Sequence, residues 1–265
     1  SYAGVTGSKE VNLDNVKNIG DLLSSPLNYF NFKQRSIVLD IHDEIRKIEL
    51  VSKISRLLPA GVTIMVGGGG LLDNEFFEEQ IHRINKLKVK NIIYWGVGHN
   101  KHKDDDKERL FPSTKEFLDC SSLYGVRDKL KDYNFLPCVS CMHPQLESKH
   151  TTSHDIVIFE HEHIPIRLDF EAPRMRNNHR NFSDVIAFLG SANYVITNSY
   201  HGMYWSILMG KKVVCIPFSS KFELFPFETP MGSVSEIESL LEKARVHESA
   251  LEICRTLNKD FYRKV

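Results

Sequence analysis

An α/β fold with mainly parallel sheets follows from three features of the 265-residue chain. Short β-branched runs alternate with stretches of helical period, the pattern of βαβ units. Four loops leaving those runs carry clustered glycine, histidine, arginine or serine, where an open parallel sheet gathers its ligand groups. An irregular stretch at 133–154, with two prolines, two cysteines and three histidines, divides the units into two sets and reads as an inter-domain linker. The expected domains are 1–140 and 150–265, and the last helices are candidates to pack back on the first.

The elements follow in order. Residues 36–41 (SIVLDI) read as a strand, and 44–58 as a helix with Ile45, Ile48, Val51, Ile54 and Leu58 on one face. A second strand, 62–66 (VTIMV), runs directly into Gly67, Gly68, Gly69 and Gly70, expected as a loop into the helix 74–87. Residues 91–95 (NIIYW) form the next strand, the Gly96-Val97-Gly98-His99-Asn100 loop follows, and 101–112 is a charged, solvated loop. A short strand, 122–126, ends at Arg127. In the second half the strands are 155–159 (DIVIF), 194–197 and 212–216 (KVVCI), with helices at 182–191 and 201–209. Asn181 or Ser183 caps the first of these helices, Gly210 ends the second, and further helices begin at Ser235.

Charge and composition narrow the function. Thirty-four basic residues balance thirty-four acidic ones, so no positive field exists to hold a nucleic-acid backbone. Five cysteines are too few and odd in number for a disulfide framework, which points to a reducing, cytoplasmic setting. Residues 1–9 lack the charged-then-apolar pattern of a signal peptide. The uncharged window 185–210 is long enough to span a bilayer, yet Asn193, Asn198, Ser199 and His201 within it are costly in hydrocarbon, so it reads as protein core with no transmembrane segment.

Four loops carry the candidate chemistry. Gly67 to Gly70 remove every Cβ beyond a strand, so a ligand could approach the backbone N–H groups, although no Gly-Lys-Ser/Thr follows to make a P-loop. Asn198-Ser199-Tyr200-His201-Gly202 lies between a strand and a helix N-terminus, a place suited to an anion and to an acid–base imidazole. Arg127 offers a guanidinium fork for a carboxylate or phosphate, with a surface pairing to Asp128 or Asp132 as the alternative. Ser219-Ser220-Lys221 follows the strand 212–216 with two hydroxyls and an ammonium. Cys138 and Cys141, followed by His143, His150 and His154, approach a zinc pattern. The eight residues between Cys141 and His150 fall short of a finger's roughly 12, so no metal site is assigned. His161 and His163 fit substrate contact or a metal equally.

In order and wording these loops resemble the polysaccharide pyruvyl transferase family. Residues 18–23 (NIGDLL) are similar to its opening N-x-G-D segment, 66–72 (VGGGGLL) to its glycine-rich loop, and 96–98 to its next strand-end turn. Residues 123–128 (LYGVRD) are similar to its arginine-bearing strand end, and 195–222 (VITNSYHGMYWSILMGKKVVCIPFSSKF) to its histidine signature. The resemblance implies a GT-B-like pair of Rossmann-like domains facing a cleft. It implies transfer of pyruvate from phosphoenolpyruvate onto two hydroxyls of a sugar as a cyclic ketal, in the making of a surface polysaccharide or its lipid-linked precursor.

That chemistry assigns expected roles. His201 is the candidate acid or phosphate contact and Asp21 the contact to a sugar hydroxyl. Arg127 and Lys221 are candidates for anion binding, and Gly68, Gly69 and Gly70 for backbone contact. His99, Asn198, Ser199, Tyr200, Ser219 and Ser220 complete the expected substrate-binding set. No cofactor is implied, and membrane contact is expected only at the inner face, through a lipid-linked acceptor. Many family members carry an arginine two residues before the signature histidine where this chain has Ser199. A glycosyltransferase using a nucleotide-sugar donor, on the same fold, therefore stands as the alternative, and a catalytically silent carbohydrate-binding protein as a third reading.

Overall fold

The structure is a computed structural model that describes residues 2–4, 18–33, 38–41, 45–55, 61–74, 76–100 and 112–265. It is an α/β protein with two sheets of mainly parallel strands, a two-domain Rossmann-like arrangement. The expected loop at 101–112 lies almost wholly outside the described residues, as do parts of the expected strand 36–41 and helix 44–58.

The first sheet holds β1 (Tyr2–Gly4), β2 (Val38–Asp40), β3 (Thr63–Val66), β4 (Gly69–Leu72), β5 (Asn91–His99) and β6 (Leu123–Val126). β1 runs antiparallel to β2 and β3, whereas β3, β4 and β6 all run parallel to β5. Four helices accompany them: α1 (Ile19–Leu22), α2 (Ile45–Ser55), α3 (Glu78–Asn85) and α4 (Pro112–Asp119). On α3 the buried residues are Ile81 and Ile84, three apart on one helical face. The second sheet has the order β10-β9-β7-β8, all parallel, from β7 (His154–Glu160), β8 (Arg174–Arg176), β9 (Ala192–Thr197) and β10 (Lys212–Cys215). Its helices are α5 (Phe182–Gly190), α6 (Tyr200–Leu208), α7 (Ile237–Lys243) and α8 (Ala250–Tyr262).

The glycine run departs from its expected form. β3 and β4 lie one after the other along the same edge of β5, and the register that pairs Thr63 with Asn91 continues where Gly69 pairs with Val97. Gly67 and Gly68 therefore interrupt one long strand and do not open a loop into a helix. The expected turn at Gly96-Val97-Gly98 is likewise strand: β5 runs through it with a register irregularity between Trp95 and Val97, and Gly96 adopts φ 62°. A left-handed residue inside a strand is a bulge that only glycine takes without strain. Helix α3 starts at Glu78 and not at Asn74, because the Asn74 side chain closes a turn by accepting from the Phe76 N–H and donating to the Gly70 carbonyl.

In the second half the side chain of Asn181 caps α5 by accepting from the Ser183 N–H, and Gly210, at φ 70°, follows α6. Every residue of α6 is buried, so its apolar run is protein core. Among the described residues no helix is long and apolar enough to cross a membrane. The stretch expected as a linker is not an exposed tether: 3₁₀ turns at Val139–Met142 and Pro144–Glu147 tuck Cys138, Val139, Ser140 and Cys141 out of solvent. α8 lies against the first sheet, where Trp95 Nε1 donates to Asn258 Oδ1 at 2.7 Å and Phe261 meets the Trp95 ring edge-on.

Candidate active site

The carboxyl ends of strands from both sheets meet at a cleft of about 280 Å³. α1 brings Asn18 and Asp21 to it, and β4 and its exit bring Gly70, Asn74, Phe76 and Phe77. Asn100 and Arg127 follow β5 and β6, and His161 follows β7. Ser199, Tyr200 and His201 come from the β9–α6 junction, with Phe218 and Lys221 after β10.

His201 sits in the first turn of α6, which Ser199 caps by accepting from the Gly202 N–H. Its Nε2 turns away from the cleft toward Ser24 Oγ at 3.4 Å and Cys138 Sγ at 3.6 Å. Its Nδ1 lies over Gly20: a Cβ there would fall 2.0 Å from that nitrogen, so glycine is required for the ring to fit. The Trp205 ring, at a centroid distance of 5.1 Å, packs against the imidazole.

Arg127 is not the surface residue of the alternative reading; it is 2% exposed. Its guanidinium carbon stands 3.7 Å from the centroid of the Tyr200 ring, its Nε has no hydrogen-bond partner, and it forms no ion pair among the described residues. Asp128 turns the other way and accepts from the His99 N–H. Burial, reinforced by the charge of Asp73, pushes the Asp128 carboxyl up to about 7 against the pull of Arg127 and the His99 N–H. Lys221 lies over the rings of Phe218 and Phe222. Burial, together with repulsion from Arg127, lowers its ammonium to about 8, against the pull of Asp21 and Cys215.

The cleft thus joins His201, Asp21, Arg127, Lys221, Tyr200, Ser199 and Gly70 from the expected set. The others stand behind it. His99 is buried, with Nε2 3.3 Å from Asp73 Oδ2 and Nδ1 3.2 Å from Ser220 Oγ, and Ser219 donates to Asn100 Oδ1. These contacts fasten the Ser219–Lys221 segment to the end of β5. Asn198 accepts from the His161 N–H and donates to the Ile164 carbonyl, bracing the loop after β7. A Cβ on Gly68 would meet the Gly96 carbonyl at 3.0 Å, and Gly69 has φ 118°, so both glycines answer to packing and backbone conformation. Neither lines the cleft.

Among the described residues no group of three metal-ligating side chains forms, and Cys138 points to His201 while Cys141 accepts from Asn258 Nδ2. Sequence reasoning missed Ser24, Asn74, Asn100, Asn177, Phe76, Phe77 and Phe218. Asn18, inside the quoted NIGDLL segment, Asn100, beside His99, and Phe218, inside the quoted 195–222 segment, carried a motif signal.

The fold and the site define an α/β protein with two parallel sheets and a cation-lined cleft at their strand ends. Residues 146–220 match the family model described as polysaccharide pyruvyl transferase, a family of transferases acting toward a saccharide acceptor. The match spans β7 through β10 and stops one residue short of Lys221, so it takes in Ser199, Tyr200 and His201. No curated protein matches the chain significantly.

Proposed function

We propose that this chain transfers pyruvate from phosphoenolpyruvate onto two hydroxyls of a sugar, as a cyclic ketal, with Arg127 and Lys221 holding the donor's carboxylate and phosphate. The observation that carries this reading is Arg127: a buried guanidinium without an acidic partner among the described residues, in the same cleft as a second cation and a histidine. A buried cation left uncompensated is costly, and an anionic ligand supplies the missing charge. The family match over 146–220 supports the same donor chemistry over a nucleotide-sugar.

The roles follow from the bonds that change. His201 gives a proton to the methylene carbon of the donor, which leaves positive charge at the neighbouring carbon, and a sugar hydroxyl attacks there. Asp21 takes up the hydroxyl proton. Phosphate departs with the electron pair of its C–O bond, stabilised by Arg127 and Lys221, and the second hydroxyl closes the ketal. Its proton leaves with the phosphate.

Calorimetric titration tests the reading. Phosphoenolpyruvate should bind the wild type, and Arg127→Ala should weaken it by about 10-fold to 100-fold, the loss of a charge-assisted contact. UDP, GDP and CMP should not bind. Binding of a nucleotide in place of phosphoenolpyruvate would sink the proposal and turn attention to nucleotide-sugar transfer.

A further inference from the structure

Behind His201 the hydrogen bonds can be followed donor by donor. The Ser24 hydroxyl spends its hydrogen on the Gly20 carbonyl at 2.7 Å, so its oxygen can only accept from the neighbouring imidazole or thiol. Trp205 Nε1 donates to Ser140 Oγ at 3.0 Å, which turns the Ser140 hydrogen toward Cys138 Sγ, 3.3 Å away. The sulfur, fully buried, thus has the Ser140 hydroxyl as a donor, and the His201 Nε2, 3.6 Å away, can accept its proton and then donate back to it. Those are the surroundings of a thiolate.

The other neighbours of His201 oppose a charged ring. The N-terminus of α6 is positive, and Arg127 and Lys221 share its cleft, with Tyr200 neutral beside it and Asp21 the carboxylate among the cleft-lining residues.

We propose that Cys138 is a positioning residue that gives up its thiol proton to His201, forming a buried thiolate beside an imidazolium that lines the cleft. The proton moves from sulfur to nitrogen and nothing is oxidised. The pair supplies the proton that the transferase reading requires of His201, and its role in catalysis rests on that reading. The balance of forces agrees: burial alone would raise the Cys138 thiol, but His201, by hydrogen bond and charge, and the Ser140 hydroxyl outweigh it and bring it down to about 6. The proton is shared between two side chains, so the test observes both.

The experiment is a pH titration of the full chain, following thiolate ultraviolet absorption and the His201 ring resonances, in wild type, Cys138→Ser and His201→Gln. In wild type the thiolate absorption should be present at neutral pH and fade through about 6. It should be missing from both variants, and at neutral pH the His201 ring resonances should move from imidazolium to neutral-imidazole positions in Cys138→Ser. Should Cys138→Ser not fold, loss of the thiolate signal in His201→Gln tests the pair from its other side. His201 ring resonances unmoved by Cys138→Ser, or a thiolate signal that survives His201→Gln, would overturn the proposal. Neither signal needs a ligand. A chain that shows the pair yet binds no phosphoenolpyruvate would sink the transferase reading alone, and one that binds it without the pair would sink this proposal alone.

Discussion

Ser199 shows how a single position misleads when read by type. Its hydroxyl caps α6, and the positive charge that the resemblance sought there comes from Arg127 and Lys221, which reach the same cleft from other strands. Lys221 makes a pH prediction. Its ammonium, lowered to about 8 by burial, is charged below that value and neutral above it. Affinity for phosphoenolpyruvate should therefore fall, by about 10-fold for one lost charge contact, as pH rises through 8. Lys221→Arg, which keeps its charge, should flatten that limb, and titrations at both ends of the range decide the matter. Asp128 predicts a stability effect of definite sign. Its folded pKa, about 7, is above its unfolded value, so the folded state holds the proton more tightly; its contribution is intact at low pH and is lost as pH rises toward 7. Asp128→Asn keeps an acceptor for the His99 N–H and removes the charge. Its melting temperature should match wild type under acidic conditions and exceed it under alkaline ones, by up to about 4 kcal/mol of stability. An advantage that shrinks with rising pH would contradict the assignment. His201, Asp21, Arg127 and Lys221 each lie in a motif, so their approach to one cleft is legible in the sequence, whereas the pairing of Cys138 with His201 is not, because it joins residues 63 positions apart.

Among the elements, legibility followed periodicity. In the second half the expected strands 155–159, 194–197 and 212–216 match β7, β9 and β10 to within two residues, since polar turns bound them and α5 carries its own cap, whereas β8, Arg-Met-Arg, carries no strand pattern and was not expected. The first half was misread at its glycines. Four in a row look like a loop to any local rule, and only pairing with β5, a contact across nearly thirty positions, makes Gly69 and Gly70 a strand. Gly98 tests what such a strand glycine does. A Cβ there would fall 2.0 Å from Arg127 Nε, so Gly98 clears the space in which the guanidinium lies against Tyr200. Gly98→Ala should push Arg127 off that ring and weaken phosphoenolpyruvate by about 10-fold or more, while far-ultraviolet dichroism stays that of the wild type. Retained affinity would mean that Arg127 is not the anchor.

At the scale of the molecule, the C-terminal helix ties the end of the chain to the first sheet. Trp95 is fully buried on β5, and the group that satisfies its indole N–H is Asn258 on α8, whose amide also donates to the Pro137 carbonyl and so reaches the buried stretch between the halves. Phe261 and Tyr262 extend that contact onto Trp95 and Phe30. We propose domains at 1–140 and 150–265, with α8 as the element they share. The first sheet then lacks part of its cover until the last residues of the chain arrive, and the two halves should unfold together. Asn258→Ala strands the Trp95 donor without a partner, which should cost about 1–3 kcal/mol. For a chain of this size that lowers the melting temperature by roughly 2–4 °C per kcal/mol, with one transition retained. Fluorescence of Trp95, read in a Trp205→Phe background, and calorimetry of the same chain should then report the same midpoint. If the tryptophan signal melted first, in wild type as in the variant, α8 would be an appendage of the first sheet, and the cleft would owe its geometry to contacts such as Arg127 on Tyr200 and Ser220 on His99.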